Sequence, residues 1–202
     1  RTTMDYVTDS QLDWAKMPDD HEICHYDDGK DEYRWFSSPE KNIEWLGNKF
    51  PGEGEKVRRY YGLEAGIERS LWAWVVTKLL PEWIPLAIRE GFYKLLGGKW
   101  RRYMFEKTAH VFRKTLGMSE KLSALFCYMY GNHGRTPEHS PFAFHAVNLF
   151  HYRYGAYYPV GGSGQIAECI IPVIEAAGGQ VAVDCKVRQI LVEGNTAVGV
   201  DL

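Results

Sequence analysis

The sequence predicts an α/β fold, with a mostly helical block first and a helix-strand-strand unit after it. Two observations carry this. Between residues 38 and 152, apolar residues recur at helical spacing between polar loops. After Tyr154 the composition changes to a glycine-rich loop, an apolar helical stripe and then alternating residues. The predicted organisation is a hairpin-containing segment at 1–36, a helical block at 37–154 and the closing unit at 155–202.

The opening segment reads as a β-hairpin. His21-Glu-Ile-Cys-His-Tyr26 and Asp31-Glu-Tyr-Arg-Trp-Phe36 flank the turn formers Asp27-Asp28-Gly29-Lys30. A helix start follows, with Ser38 as N-cap, Pro39 at the first helical position and Glu40 in the first turn. It should end before Phe50-Pro51-Gly52, with a second helical pattern beyond Glu53. Residues 71–96 form the most hydrophobic stretch, broken by Lys78, Pro81, Glu82 and Pro85. A spanning helix needs about 20 uninterrupted apolar residues, which this stretch lacks. Two readings stand for it: a membrane-contact surface with Trp72, Trp74 and Trp83 at the interface and Lys78, Arg89 and Lys94 nearby, or buried helices around a substrate cavity. Further helices are predicted at 101–116, from near Ser119, and at 142–151.

In the closing unit, Gly155-Ala-Tyr-Tyr-Pro-Val-Gly-Gly-Ser-Gly-Gln-Ile leads into a helix striped by Ile166, Ile170, Val173 and Ile174. Gly178-Gly179 supplies its stop. Pro172 lies inside that helix and removes a backbone bond to Glu168. Val181, Val183 and Cys185 alternate with Ala182, Asp184 and Lys186 as a half-buried strand continued by 187–192. A turn at Glu193-Gly194-Asn195 then leads to a second strand through Val198, Val200 and Leu202.

With 202 residues, 45% hydrophobic and 25% charged, the composition is that of an ordinary globular protein. The net charge of −2 gives no electrostatic argument for nucleic acid. Seven Trp, 13 Tyr and 9 Phe suit either a well-filled core or a large apolar ligand. Four scattered cysteines, with no C-x-x-C pair, argue against a disulfide framework or a zinc site. The histidines His133, His139, His145 and His151 recur every six residues, whereas helical ligand pairs sit three or four apart; no metal is expected. His145, between Phe144 and Ala146, is either a core histidine or a wall of a substrate tunnel. The basic cluster Lys99-Trp-Arg-Arg102, with Lys107 and Arg113, is either a solvated face or a contact with anionic lipid. No catalytic residue can be assigned from the sequence. The chain begins at Arg1 without Met and stops at Val-Gly-Val-Asp-Leu inside a predicted strand, so an internal piece of a longer chain is expected.

Glycines before a helix let the backbone approach a ligand, and the first N–H groups of a helix favour anions. On residue chemistry alone, Gly161-Gly-Ser-Gly164 is either a plain turn or such a site, because it lacks the spaced G-x-G-x-x-G pattern. The run from Gly155 to Glu168 resembles the Tyr-Pro-x-Gly-Gly loop of the carotenoid and retinoid flavoprotein oxidoreductases: phytoene desaturases, carotenoid isomerases and retinol saturases. Ile171-Pro-Val-Ile-Glu-Ala-Ala-Gly-Gly179 is similar to the retinol saturase branch in particular. So are Tyr130-Gly-Asn-His-Gly-Arg-Thr-Pro-Glu-His-Ser-Pro-Phe-Ala-Phe-His-Ala146 and Val7-Thr-Asp-Ser-Gln-Leu-Asp-Trp14.

The resemblance implies a Rossmann-like FAD-binding domain with an inserted substrate domain. It places Tyr158, Pro159, Gly161 and Gly162 at the re-entry into the flavin domain, and Val187 where the backbone meets the adenine of FAD. Phe142, Phe144 and His145 become substrate-side candidates. The implied activity is reduction of one carbon–carbon double bond of all-trans-retinol, with FAD and a reduced nicotinamide, NAD(P)H, as electron donor. The implied setting is peripheral contact with the endoplasmic reticulum membrane. A carotenoid cis-trans isomerase or phytoene desaturase-like enzyme is the near alternative, which would imply a plastid. A non-catalytic lipid-binding or interaction module is the distant one. The dinucleotide fingerprint and the C-terminal flavin motif of the resembled proteins are absent from these residues, so the 202 residues alone are expected to be inactive.

Overall fold

The computed structural model describes residues 2–81, 83–96 and 98–202; Glu82, named above among the interrupting residues, lies outside them, as does the Arg89 side chain. In chain order, α1 (Thr2–Val7) and β1 (Trp14–Lys16) precede the hairpin strands β2 (Glu22–Tyr26) and β3 (Asp31–Trp35). Next come α2 (Pro39–Lys49), α3 (Gly54–Leu79), α4 (Leu86–Leu96), α5 (Gly98–Tyr103) and α6 (Thr108–His110), the last widening into a π turn (Val111–Leu116). They are followed by α7 (Glu120–Phe126), α8 (Phe142–Phe150), β4 (Tyr157–Pro159), α9 (Gly164–Ala176), β5 (Gln189–Glu193) and β6 (Thr196–Asp201). Among the described residues, helices thus mix with three two-stranded antiparallel sheets, β1–β4, β2–β3 and β5–β6. The chain divides into two compact units, one of Met17–Ala156 and one of Arg1–Lys16 with Tyr157–Leu202.

The larger unit begins with the expected hairpin. Asp27 and Asp28 take positive φ (52° and 55°), which these short polar residues tolerate in a tight turn, and Gly29 follows at 85°. Ser38 caps α2 as expected, its Oγ accepting from Lys41 N at 3.3 Å. Buried Asn42 then ties that helix to the hairpin. Its Nδ2 donates to the Phe36 carbonyl at 2.7 Å, and its Oδ1 accepts from Phe36 N at 2.8 Å. The core collects Val57, Tyr60 and Ile67 of α3 with Phe112, Phe126 and Phe142, all fully buried.

The second helical pattern, beyond Glu53, is one 26-residue helix, α3, with Leu80, the residue before Pro81, as its C-cap in extended backbone. One boundary differs from expectation here. The single helix expected at 101–116 is interrupted between α5 and α6. There, Phe142 N donates to the Glu106 carbonyl (2.8 Å) and Thr108 N to the Ser140 carbonyl (2.9 Å), so tertiary pairing claims backbone groups that a continuous helix would use.

In the smaller unit, β4 forms within the stretch that the sequence predicts as a glycine-rich loop. Its partner β1 lies some 140 positions earlier, with Trp14 opposite Pro159, Ala15 opposite Tyr158 and Lys16 opposite Tyr157. Helix α9 forms through Pro172 as expected. The half-buried strand expected at 181–185 does not form. Residues 181–188 are irregular, with Asp184 at φ 57°, and pairing starts only at Gln189, where β6 runs alongside. Alternation supplies a strand's face but not its hydrogen-bond partner.

Candidate functional site

Tyr158 and Pro159 end β4, and the chain then turns through Gly161 (φ 89°) and Gly162 (φ 100°) into α9. Val160 N donates to the Asp13 carbonyl at 3.0 Å and Gly162 N to the Pro159 carbonyl at 3.1 Å, which fixes the turn from both sides. Such φ values are open to glycine and strained for other residues. Pro159 is buried, whereas Tyr158 is half exposed. Ser163 stands at the N-cap of this 13-residue helix without a side-chain cap bond, while Gln165 N donates to the Gly162 carbonyl and Ile166 N to the Ser163 carbonyl, each at 3.2 Å. A glycine-lined approach to an uncapped helix start suits an anionic group such as a phosphate. Val187 lies in the irregular stretch before β5 and is half exposed. The first four residues are therefore brought together; Val187 belongs to the same unit but to another element.

The three aromatic-helix candidates lie on α8 in the larger unit and divide by face. Phe142 is fully buried, stacked on His145 at 5.7 Å and edge-on to Phe112. His145 is buried between Phe112 and Phe142, with Nε2 3.4 Å from the Tyr60 hydroxyl. Burial pulls its pKa down to about 3, so the imidazole is neutral near pH 7. Phe144 is 46% exposed and meets only the edge of Trp100, at 6.4 Å.

A buried charged cluster in the same unit escaped the sequence reading. Glu64, 1% exposed, accepts from Arg153 Nε at 3.0 Å and from the Tyr60 hydroxyl at 3.3 Å, while Arg153 Nη1 binds Glu68 at 2.8 Å. Burial pushes the Glu64 carboxyl up to about 7 against the pull of Arg153. Glu64 and Arg153 line a small cavity with Asn42, Tyr61, Tyr128 and Tyr152, with room for about one water in its 20 Å³. The signal was present in the sequence: Val57, Tyr60, Glu64 and Ile67 form one helical stripe, and a carboxylate in an apolar stripe requires a partner. Among the described residues, no three His, Cys, Asp or Glu side chains are placed to hold a metal ion.

No family model matches this chain. Over 196 residues, covering 96% of this chain and 32% of the relative, it is 34% identical to the all-trans-retinol 13,14-reductase of Macaca fascicularis. Over 204 residues, 99% of the chain and 33% of the relative, it is 26% identical to the inactive all-trans-retinol 13,14-reductase of Danio rerio. A shorter match, 29% over 83 residues (41% of the chain, 16% of the relative), links it to the 4,4'-diapophytoene desaturase (4,4'-diapolycopene-forming) of a Methylomonas species. The chain is thus a homologue of retinoid and carotenoid oxidoreductases. Within them, its homology to all-trans-retinol 13,14-reductases runs along nearly its whole length. It spans about a third of the length of the curated relatives it matches.

Proposed function

We propose that this chain serves an FAD-dependent oxidoreductase that saturates one carbon–carbon double bond of all-trans-retinol, with NAD(P)H as the electron source. The observation that carries the reading is 34% identity along 96% of the chain to a protein named for that reaction. The turn geometry supports it. Gly162 has open space where a side chain would stand, so an anionic group can approach its backbone beside the start of α9, while the Gln165 side chain covers the corresponding side of Gly161. Tyr158 presents a half-exposed ring beside that approach and Val187 a half-exposed backbone stretch; these residues would hold part of the dinucleotide. FAD, when bound, supplies hydride-transfer chemistry. The residues here bind, orient and exclude water. Of the α8 candidates, Phe144 alone offers exposed surface to an apolar polyene, while Phe142 and His145 hold its helix in the core. The reading places the protein in a Rossmann-like flavoprotein at the endoplasmic reticulum membrane, with the 202 residues alone inactive.

A second reading, a carotenoid desaturase or isomerase, draws on the match to the diapophytoene desaturase. A third, a non-catalytic module, draws on the relative named inactive. Product analysis of the flavin-loaded full-length protein, the longer chain that carries these 202 residues, separates them. Retinol supplied with NADPH should yield a product two hydrogens heavier. Isomer exchange of a cis-carotene without reduction would support the second reading instead, and no conversion of either would support the third.

A further inference from the structure

The last turns of α3 expose the side chains that a water-facing helix usually hides. Ser70, Trp74 and Thr77 face inward: the Ser70 hydroxyl accepts from Trp100 N at 2.7 Å, and the Trp74 ring lies 5.9 Å from that of Trp100. Trp74, grouped above with the interfacial tryptophans, therefore packs on the core. Trp72, Val76 and Leu79, four and three residues apart, share the outer face and are 61%, 57% and 76% exposed. The surface continues through Trp83 in the connection (81%) to Ile88 and Leu95 on α4 (51% and 79%). Apolar side chains this large are seldom clustered on a water-facing surface unless something covers them.

We infer that this face, the end of α3 with the connection and α4, docks into the interfacial layer of an anionic lipid bilayer. Charge complementarity selects the occupant. Exposed Lys78 and Lys94 lie on α3 and α4, which carry the apolar residues, Lys94 within 4.0 Å of Glu90, and exposed Lys99 and Arg101 follow on α5, which packs against both; long basic side chains can reach headgroup phosphates while apolar neighbours enter the acyl boundary. The Lys78 ammonium sits 5.3 Å from the centre of the Trp74 ring, one turn along the same side of α3. Tryptophan rings favour this layer because one edge is polar and the body is not. Among the described residues no helix is long and apolar enough to cross a membrane, so the contact is with one leaflet. This names the docking surface for the membrane setting of the reading above, but vesicle binding and retinol reduction can each fail without the other.

The test is flotation of the 202-residue protein with phosphatidylcholine vesicles, with and without phosphatidylserine. Binding should require phosphatidylserine, weaken with added salt, and fall about tenfold or more in a Leu79→Ser, Trp83→Ser double variant. Both side chains are exposed, so the thermal midpoint should stay unchanged and report an intact fold. Absence of binding to anionic vesicles overturns the inference, as does binding unaffected by the double variant. So does a patch-dependent dimer in sedimentation, which would make a second copy the occupant.

Discussion

Arg153 donates from both Nε, at 3.0 Å, and Nη2 to a single carboxylate oxygen, Oε2, of Glu64, at a point of α3 where Glu64 is almost wholly shielded from water. A carboxyl raised to about 7 keeps its proton in the folded state above the pH at which the unfolded chain releases it. The stability from that proton is complete below the unfolded value, near 4.3, and fades as pH rises through 7. Removing the arginine should sharpen this. Arg153→Leu is expected to cost about 3–5 kcal/mol at pH 8, where a lone carboxylate is buried, and much less at pH 5, where Glu64 can protonate. Urea unfolding at the two pH values measures it; equal costs would mean that the pair does not govern this site.

His145 gives the opposite dependence. Its folded value near 3 lies below that of an unfolded histidine, about 6.5, so the neutral ring stabilises the fold above 6.5 and loses that contribution as pH falls toward 3. The full loss is on the order of 5 kcal/mol. Between about 6.5 and 4.5 the trend from Glu64 offsets it; below that, His145 dominates. A His145→Asn variant should lose the fall in unfolding midpoint between pH 4.5 and 3 that the parent shows. Parallel curves for the two proteins would contradict the assignment.

Gly162 holds φ 100° with open space where a Cβ would stand, so Gly162→Ala introduces backbone strain without a clash. The expected cost is about 1–2 kcal/mol, with weaker retention of FAD by the purified protein. Chemical unfolding and flavin content after desalting read the two effects. A variant of unchanged stability would show that the turn does not need the left-handed conformation.

Ile190 and Val200 face each other across β5 and β6, and both are at least half exposed. A Lys at Ile190 with a Glu at Val200 should slow aggregation, measured by light scattering, and change stability by less than about 0.5 kcal/mol. A large destabilisation would show that the pair is needed for folding.

Local chemistry made much of the fold legible. The Asp27-Asp28-Gly29 turn, the Ser38 cap and the Pro-terminated helices are decided within a few residues, and the structure has them where the sequence puts them. What was not legible depends on distant partners. Tyr157–Pro159 becomes a strand because Trp14–Lys16 pairs with it, and residues 181–187 stay irregular because no strand runs alongside. The same holds for the sites. The glycine turn was visible as a motif, whereas the Glu64–Arg153 pair joins residues 89 apart and shows in the sequence only as a carboxylate within an apolar stripe.

The most direct test of the central claim is mass analysis of retinoids after anaerobic incubation of the FAD-loaded full-length protein, the longer chain that carries these 202 residues, with all-trans-retinol and NADPH. The account predicts a single product two hydrogens heavier, with less of it from a Gly162→Ala variant. Unchanged retinol mass, with FAD bound and the fold intact, would contradict it.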